Sequence, residues 1–137
     1  MFFENWIHSV IRQELQIDLD YQRFVGKTAL PQVSRADIEN FQLYRLNRII
    51  RYATENSPFY RDKLKGVPGL RLLEDFSGLP FTDPHDLEES PYKLLCVSLG
   101  GIARVFSHFT TGTMSGRPKK IFFTYGDADG IVDSMAA

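Results

Sequence analysis

The sequence predicts an α+β fold, in which several helices come first and two strands with a final helix follow them. Three observations support this prediction. Apolar residues recur at helical spacing in two N-terminal segments. Two short runs rich in β-forming residues come late in the chain, and a stretch rich in Gly, Thr and Ser separates them. We therefore expect a helical part followed by a strand–loop–strand unit.

The composition indicates an ordinary globular domain. The chain has 137 residues, 43% hydrophobic and 24% charged, with a net charge of −1. So small a charge does not attract nucleic acid or an anionic membrane, and we expect neither as a partner. The single Cys96 cannot form an internal disulfide. The N-terminus lacks a signal-peptide pattern and no apolar run is long enough to span a bilayer, so we expect a cytoplasmic protein.

The first predicted helix covers residues 3–17, which carry apolar residues on one face. Residues 18–33 show no clear period and are predicted as a connector that closes at Pro31. The apolar face of the first helix consists of Phe3, Trp6, Ile7, Val10, Ile11 and Leu15.

A long second helix is predicted after Ser34. Ser34 and Asp37 can form a capping box, in which each side chain accepts a hydrogen bond from the other residue's backbone N–H. The segment Asn56-Ser57-Pro58 ends this helix, because Pro disfavours a helical conformation in the residue before it. The buried face of the helix is predicted to consist of Ile38, Phe41, Leu43, Leu46, Ile49, Ile50 and Ala53.

Shorter elements follow. Pro58 suits the first turn of a short helix over residues 58–65. Thr82 is the predicted N-cap of another short helix, about residues 83–90. Residues 91–97 are predicted as a connector or a short helix.

Two strands are predicted near the end, over residues 102–109 and 120–124. Thr124 and Asp127 form a second potential capping box, so a helix should begin at about residue 126 and run to the end. No Gly, Pro or basic residue closes this helix, and we expect the chain to be a fragment that stops inside it.

Residues 110–120, Thr-Thr-Gly-Thr-Met-Ser-Gly-Arg-Pro-Lys-Lys, are the most informative stretch. Gly112 and Gly116 permit positive backbone dihedrals and close approach of a ligand. The hydroxyls can donate to phosphate oxygens, and the backbone N–H groups can converge on an anion. A Walker A loop is excluded, because a predicted strand rather than a helix follows Arg117 and Pro118. From the residues alone, a phosphate-binding loop and an ordinary turn both stay open.

Between two strands, this stretch resembles the signature loop of the acyl-adenylate-forming enzymes, which reads Thr-Ser/Thr-Gly-Thr-x-Gly-x-Pro-Lys. The matching residues are Thr110-Thr111-Gly112-Thr113, Ser115-Gly116 and Pro118-Lys119. Two positions depart from the pattern. Met114 is an extra residue between the two glycines, and Lys120 stands where many members have Gly.

Four upstream landmarks resemble the phenylacetate–CoA ligases in particular. Their order and spacing agree with that family across about residues 40–130. We expect most of their apolar side chains, such as Phe59, Tyr60, Phe81 and Leu87, to be core residues. The landmarks are Tyr52-Ala53 through Asn56-Ser57-Pro58-Phe59-Tyr60-Arg61, Leu79 to Leu87, Pro91 to Leu95, and Arg104-Val105.

The resemblance implies the α/β fold of the large adenylate-forming domain, whose N-terminal part would be residues 34–137 after a helix and connector at 1–33. It implies ATP, CoA and an aryl or short acyl carboxylic acid as substrates, and Mg²⁺ as cofactor. Whether the protein is a homodimer stays open. It implies a fragment that is inactive alone, with no catalytic residue of its own. The implied nucleotide-phosphate ligands are Thr110, Thr111, Gly112, Thr113, Ser115, Gly116 and Lys119.

Other candidate sites have a plainer interpretation. His8, His85, His108 and Cys96 lack metal-ligand spacing, and Cys96 is expected to be buried and inert. Two alternatives to a ligase stay open: a nucleotide-binding or regulatory homologue without ligase activity, and a structural interaction module.

Overall fold

The computed structural model describes the backbone of residues 2–108 and 119–136, and the side chains of residues 4–107 and 120–132. These ranges are mostly helical with a two-stranded antiparallel sheet, so the α+β prediction is confirmed for them. The described part contains no helix long and apolar enough to cross a membrane. The α-helices are α1 (Phe2–Ile17), α2 (Leu19–Val25), α3 (Arg35–Asn56), α4 (Pro58–Lys63), α5 (Pro84–Glu89) and α6 (Tyr125–Ala136). The strands are β1 (Arg104–His108) and β2 (Lys119–Phe123), and 3-10 turns cover Leu73–Gly78, Pro91–Leu94 and Leu99–Gly101.

The chain divides into two compact units. The first unit comprises Met1–Ile50 and Pro68–Gly78, and the second comprises Arg51–Val67 and Leu79–Ala137. The long helix α3 contributes residues to both units, because it runs from Arg35 to Asn56 and the boundary between the units falls after Ile50.

The core of the first unit lies where α1, α2 and α3 meet. Ile11 and Leu15 of α1 are almost fully buried, as the helical spacing of the apolar residues predicts. Tyr21 of α2 is fully buried, and its ring lies 5.7 Å from Phe41 and 5.0 Å from Tyr44, centroid to centroid. These aromatic contacts join the second helix to the third.

The helix α2 corrects the prediction of a connector over residues 18–33. The carboxylate of Asp18 caps this helix by accepting hydrogen bonds from the backbone N–H groups of Asp20 (2.9 Å) and Tyr21 (3.1 Å). Gly26 closes it in the left-handed conformation, at φ 66°. Seven residues are too few to show an apolar period, so only these two cap residues could have revealed the helix.

The capping box at the start of α3 is confirmed. The Asp37 carboxylate accepts hydrogen bonds from the Ser34 N–H (2.9 Å) and hydroxyl (2.6 Å), while the Asp37 N–H donates to the Ser34 oxygen (3.2 Å). Asp37 is buried and also accepts from Lys27 Nζ at 2.6 Å. The hydrogen bonds from Lys27 and Ser34 lower the pKa of Asp37 to about 2.

The buried face of α3 is confirmed in part. Phe41 and Leu43 are buried, but Ile49 is 58% exposed and Tyr44, absent from the predicted face, is buried. Tyr44 turns inward because its ring packs on Tyr21 and its hydroxyl donates to the Asp18 carboxylate at 2.8 Å. The helix ends at Asn56, as Asn56-Ser57-Pro58 predicts.

In the second unit the short helices form close to their predicted places. The helix α4 begins at Pro58 and ends at Lys63, two residues before the predicted end. The N-cap of α5 is Asp83 and not Thr82, because Asp83 can complete a capping box with Asp86 three residues later.

Candidate nucleotide-phosphate site

The predicted phosphate loop connects the two strands of the second unit. The candidate ligands Thr110, Thr111, Gly112, Thr113, Ser115 and Gly116 lie outside the described residues, as does the side chain of Lys119. The backbone of Lys119 is described and opens β2. The described elements that hold the two ends of the loop are β1 and β2.

The strands β1 and β2 are antiparallel, which confirms the strand–loop–strand geometry. Their register pairs Arg104 with Phe123 at one end and His108 with Lys119 at the other. The Ala103 N–H donates to the Phe123 carbonyl at 2.8 Å and continues the pairing beyond β1. Since paired residues of such strands have Cα atoms about 5 Å apart, the two residues that flank the loop, His108 and Lys119, lie close together. The segment enters a strand and not a helix, which agrees with the exclusion of a Walker A loop.

The far end of β2 is fixed by the predicted capping box. The Asp127 carboxylate accepts from the N–H and the hydroxyl of Thr124, both at 2.8 Å, and the Asp127 N–H donates to the Thr124 oxygen at 3.2 Å. The backbone and side-chain hydrogen bonds from Thr124 lower the pKa of Asp127. The capping box confirms the start of α6 and ties it directly to β2.

A shallow cavity of about 530 Å³ lies between β2 and α6. The carboxylate that lines this cavity, that of Asp127, already accepts two hydrogen bonds from Thr124. The cavity therefore supplies space beside the strand but no described group that is poised for acid–base chemistry. Its lining residues are Phe122, Phe123, Gly126, Asp127, Gly130 and Ile131.

The first family landmark is bonded to the third through Ser57. Ser57 is fully buried, and its hydroxyl donates to the Lys93 carbonyl at 2.8 Å. The same oxygen caps α4 by accepting the Tyr60 N–H at 3.3 Å. Arg61 Nη2 of the same landmark donates to the Glu55 carbonyl at 2.9 Å and caps the end of α3. These residues hold backbone groups in place.

The second landmark forms the start of α5. Asp86 accepts the Asp83 N–H at 3.1 Å, and Asp83 accepts the Asp86 N–H at 3.0 Å. Lys63 Nζ also donates to Asp86, and that bond is the main cause of the lowered pKa of Asp86. This cluster caps the start of α5, and His85 beside it is exposed near Glu89. Phe81 was expected in the core, but its side chain is 86% exposed.

The remaining candidates whose side chains are described, His8, His85 and Cys96, are not assembled into a metal site. Among the described residues no group of His, Cys, Asp and Glu is arranged to hold a metal ion. Cys96 is half-buried rather than buried, and burial raises the pKa of its thiol, which agrees with the expected low reactivity. The side chain of His108 lies outside the described residues.

One contact at the base of the loop was not predicted. Lys120 Nζ donates to the Tyr92 hydroxyl at 3.1 Å and lies 5.1 Å from the centre of the Tyr92 ring. The only sequence signal was that Tyr92 belongs to the third landmark and that Lys120 replaces a Gly common in related loops.

Comparison with known proteins gives a consistent class. No family model matches the chain. The chain is 36% identical over 117 residues to the phenylacetate-coenzyme A ligase of Thermus thermophilus, which covers 79% of this chain and 26% of the relative. It is 34% identical over 105 residues to the enzyme of that name from Aromatoleum evansii, covering 73% of this chain and 23% of the relative. For the Escherichia coli enzyme of that name the identity is 26% over 120 residues, covering 82% and 27%.

These matches show that the chain is related to the acid–CoA ligases. In particular, the chain is a phenylacetate–CoA ligase-like sequence, and the resemblance predicted from its loop and landmarks is confirmed. It spans about a quarter of the length of the curated relatives it matches.

Proposed function

We propose that this chain is part of an AMP-forming carboxylate–CoA ligase that activates an aryl or short acyl acid. The observation that carries the proposal is the position of the loop. The sequence that resembles the adenylate-forming signature begins and ends on two paired strands, joined at His108 and Lys119. The names of the relatives support CoA and an aryl acid as substrates.

The proposed reaction has two half-reactions. In the first, the carboxylate oxygen attacks the α-phosphorus of ATP, the bond to the bridging oxygen breaks, and pyrophosphate leaves with the negative charge. In the second, a thiol, taken here to be that of CoA, attacks the acyl carbon of the acyl-AMP and AMP leaves. Since negative charge develops on pyrophosphate in the first step, that step benefits most from fixed hydrogen-bond donors and a cation.

The donors in this chain would be the hydroxyl and N–H groups of the loop. Lys119 would supply the cation, and Mg²⁺, when bound, would supply further charge compensation. The neighbouring Lys120 suits this role less well, because its ammonium group already donates to Tyr92. The proposed ligands are Thr110, Thr111, Gly112, Thr113, Ser115, Gly116 and Lys119.

We assign residues 34–137 to the N-terminal part of the large adenylate-forming domain and residues 1–33 to an N-terminal extension. The acyl pocket, the adenine pocket and the catalytic residues would then lie in the three quarters of the relatives that this chain does not match. We therefore expect the 137-residue chain alone to be inactive, and we expect the protein in the cytoplasm, where ATP and CoA are available.

A second candidate is a nucleotide-binding or regulatory homologue without ligase activity. Met114 favours it, because an extra residue between Gly112 and Gly116 would change the direction in which the loop hydroxyls point. Such a protein would bind ATP without releasing pyrophosphate.

The test is acid-dependent exchange of labelled pyrophosphate into ATP by the full gene product, with a panel of aryl and short acyl acids. The proposal predicts exchange with at least one acid and thioester formation when CoA is added, and neither from the 137-residue chain. ATP binding without exchange would support the regulatory homologue. Failure to bind ATP or pyrophosphate would leave only a structural module.

A further inference from the structure

A side-chain contact holds the strand that leaves the proposed phosphate loop. Lys120 is the second residue of β2, and its ammonium group donates to the Tyr92 hydroxyl at 3.1 Å, with Nζ 5.1 Å from the centre of the Tyr92 ring. Two residues further along β2, the Phe122 ring lies 5.4 Å from the same Tyr92 ring, centroid to centroid. Since alternate residues of a strand share one face, Lys120 and Phe122 contact Tyr92 from the same side of the hairpin.

Tyr92 is itself held from the other side. It belongs to the 3-10 turn Pro91–Leu94, whose Lys93 carbonyl accepts the hydroxyl of the fully buried Ser57 at 2.8 Å. The Ser57 oxygen is fixed in turn by the Tyr60 N–H at the start of α4. The turn therefore links a capped helix to β2 and can act as a rigid support for the strand.

The strand needs such support. Within the described residues β2 pairs with β1 alone, and a two-stranded hairpin is only marginally stable in water. A slip of the pairing by one residue would turn every side chain of β2 to the opposite face. It would also move Lys119, which is paired with His108 at the point where the loop ends. Two contacts to one ring, from Lys120 and Phe122, oppose that slip.

We propose that Tyr92 and Lys120 form a clasp that fixes the register of β2 and so positions the 110–119 loop for attack of the acid on ATP. This inference rests on the proposed function. Tyr92 and Lys120 are positioning residues, because the contact they make is with each other. The clasp should therefore matter for acyl-AMP formation, which uses the loop, and not for transfer of a preformed acyl group to CoA.

The test compares the two half-reactions in the full gene product. In Lys120→Met, which keeps most of the length of the side chain and removes its charge, pyrophosphate exchange should fall about fivefold, the effect of about 1 kcal/mol. Tyr92→Leu, which removes the ring from both contacts, should cause a larger fall. Thioester formation from preformed phenylacetyl-AMP should stay within about twofold in both variants.

Two controls separate the clasp from a general loss of structure. Lys120→Arg retains a cationic donor for the Tyr92 hydroxyl and should restore most of the exchange activity. Lys65→Met removes an exposed lysine of the same unit and should leave both half-reactions unchanged. An equal fall in both half-reactions for Lys120→Met, or no rescue by arginine, would overturn the proposal.

Amide hydrogen exchange keeps this test distinct from that of the proposed function. In Lys120→Met and Tyr92→Leu, the β2 amides should exchange faster than in the parent protein, while amides of α1 should not change. Unchanged protection of β2 would overturn the clasp. If the parent protein shows no pyrophosphate exchange with any acid, the proposed function fails, and the amide exchange of β2 still decides whether the clasp exists.

Discussion

The two units of this chain are stabilised in different ways. The first unit contains every buried apolar side chain in the described part of the molecule. Among the described residues of the second unit only the polar Ser57 is buried, whereas large apolar residues such as Phe81 and Ile121 are 86% and 50% exposed. Hydrophobic burial therefore stabilises the first unit, and hydrogen bonds between short segments hold the second.

The difference bears on function because the family landmarks lie in the second unit. The Ser57 hydroxyl of the first landmark donates to the Lys93 carbonyl of the third, and Tyr92 of the third landmark contacts Lys120 and Phe122 of β2. A unit with little buried apolar area has little stability of its own. We therefore expect it to depend on each polar contact, whereas the first unit should be sensitive mainly to changes in its core.

The largest expected effect is in the core of the first unit. Leu15 is 1% exposed and packs in the central cluster, so Leu15→Ala should lower the free energy of unfolding by about 3 kcal/mol. Phe81→Ala in the second unit removes a larger side chain, but one that is 86% exposed. It should change the free energy of unfolding by less than about 0.5 kcal/mol. Urea denaturation measures both. Comparable losses would contradict the contrast between the units.

The next effect concerns the buried carboxylate of the first unit. The pKa of Asp37 is about 2, below its ordinary value of 3.8, so its hydrogen bonds stabilise the folded state above about pH 4. This contribution, on the order of 2 kcal/mol, should be lost as the pH falls through about 2. Asp37→Asn should remove it at neutral pH and flatten the acid limb of the stability curve. An unchanged acid limb in that variant would contradict the assignment.

In the second unit the matching polar position is Ser57. Ser57→Ala leaves the Lys93 carbonyl and the Tyr60 N–H without their partner in a buried place, and should cost about 1.5 kcal/mol. Ser77→Ala is the control, because the Ser77 hydroxyl also donates to a carbonyl, that of Glu74 at 2.7 Å, but is exposed. Thermal unfolding compares the two. Equal effects would show that burial of Ser57 does not matter.

The smallest expected effect is a gain. The Tyr21 hydroxyl is buried and has no hydrogen-bond partner among the described residues, so Tyr21→Phe should raise the stability of the first unit by about 1 kcal/mol. Tyr44→Phe should instead lower stability by a similar amount, because the Tyr44 hydroxyl donates to Asp18 at 2.8 Å. A loss of stability in Tyr21→Phe would show that its hydroxyl does have a partner.

Local signals predicted much of the fold. The capping boxes at Ser34 and Thr124 and the Asn56-Ser57-Pro58 break mark helix boundaries that the structure has at or next to the predicted residues. Each of these signals lies within a few residues of the helix boundary it predicts, so the local sequence is sufficient to place that boundary. The helix α2 was missed because it is too short to show a period.

Features that depend on distant segments were not predictable in the same way. Ile49 and Phe81 are exposed although their neighbours in sequence suggested burial, since burial depends on what packs against them. The contact between Tyr92 and Lys120 joins residues 28 positions apart, and no local pattern encodes such a pairing. The strand–loop–strand frame of the site was predicted, and the roles of the loop residues stay predictions.

Pyrophosphate exchange by the full gene product carrying Lys119→Met tests directly whether this loop binds the phosphates of ATP. Because Lys119 is proposed to offset charge on the leaving pyrophosphate, the variant should lose exchange activity by about a hundredfold or more. Thioester formation from preformed phenylacetyl-AMP should stay close to that of the parent protein. Full exchange activity in Lys119→Met, with the acid that the parent protein uses, would contradict the assignment of this loop as the phosphate site.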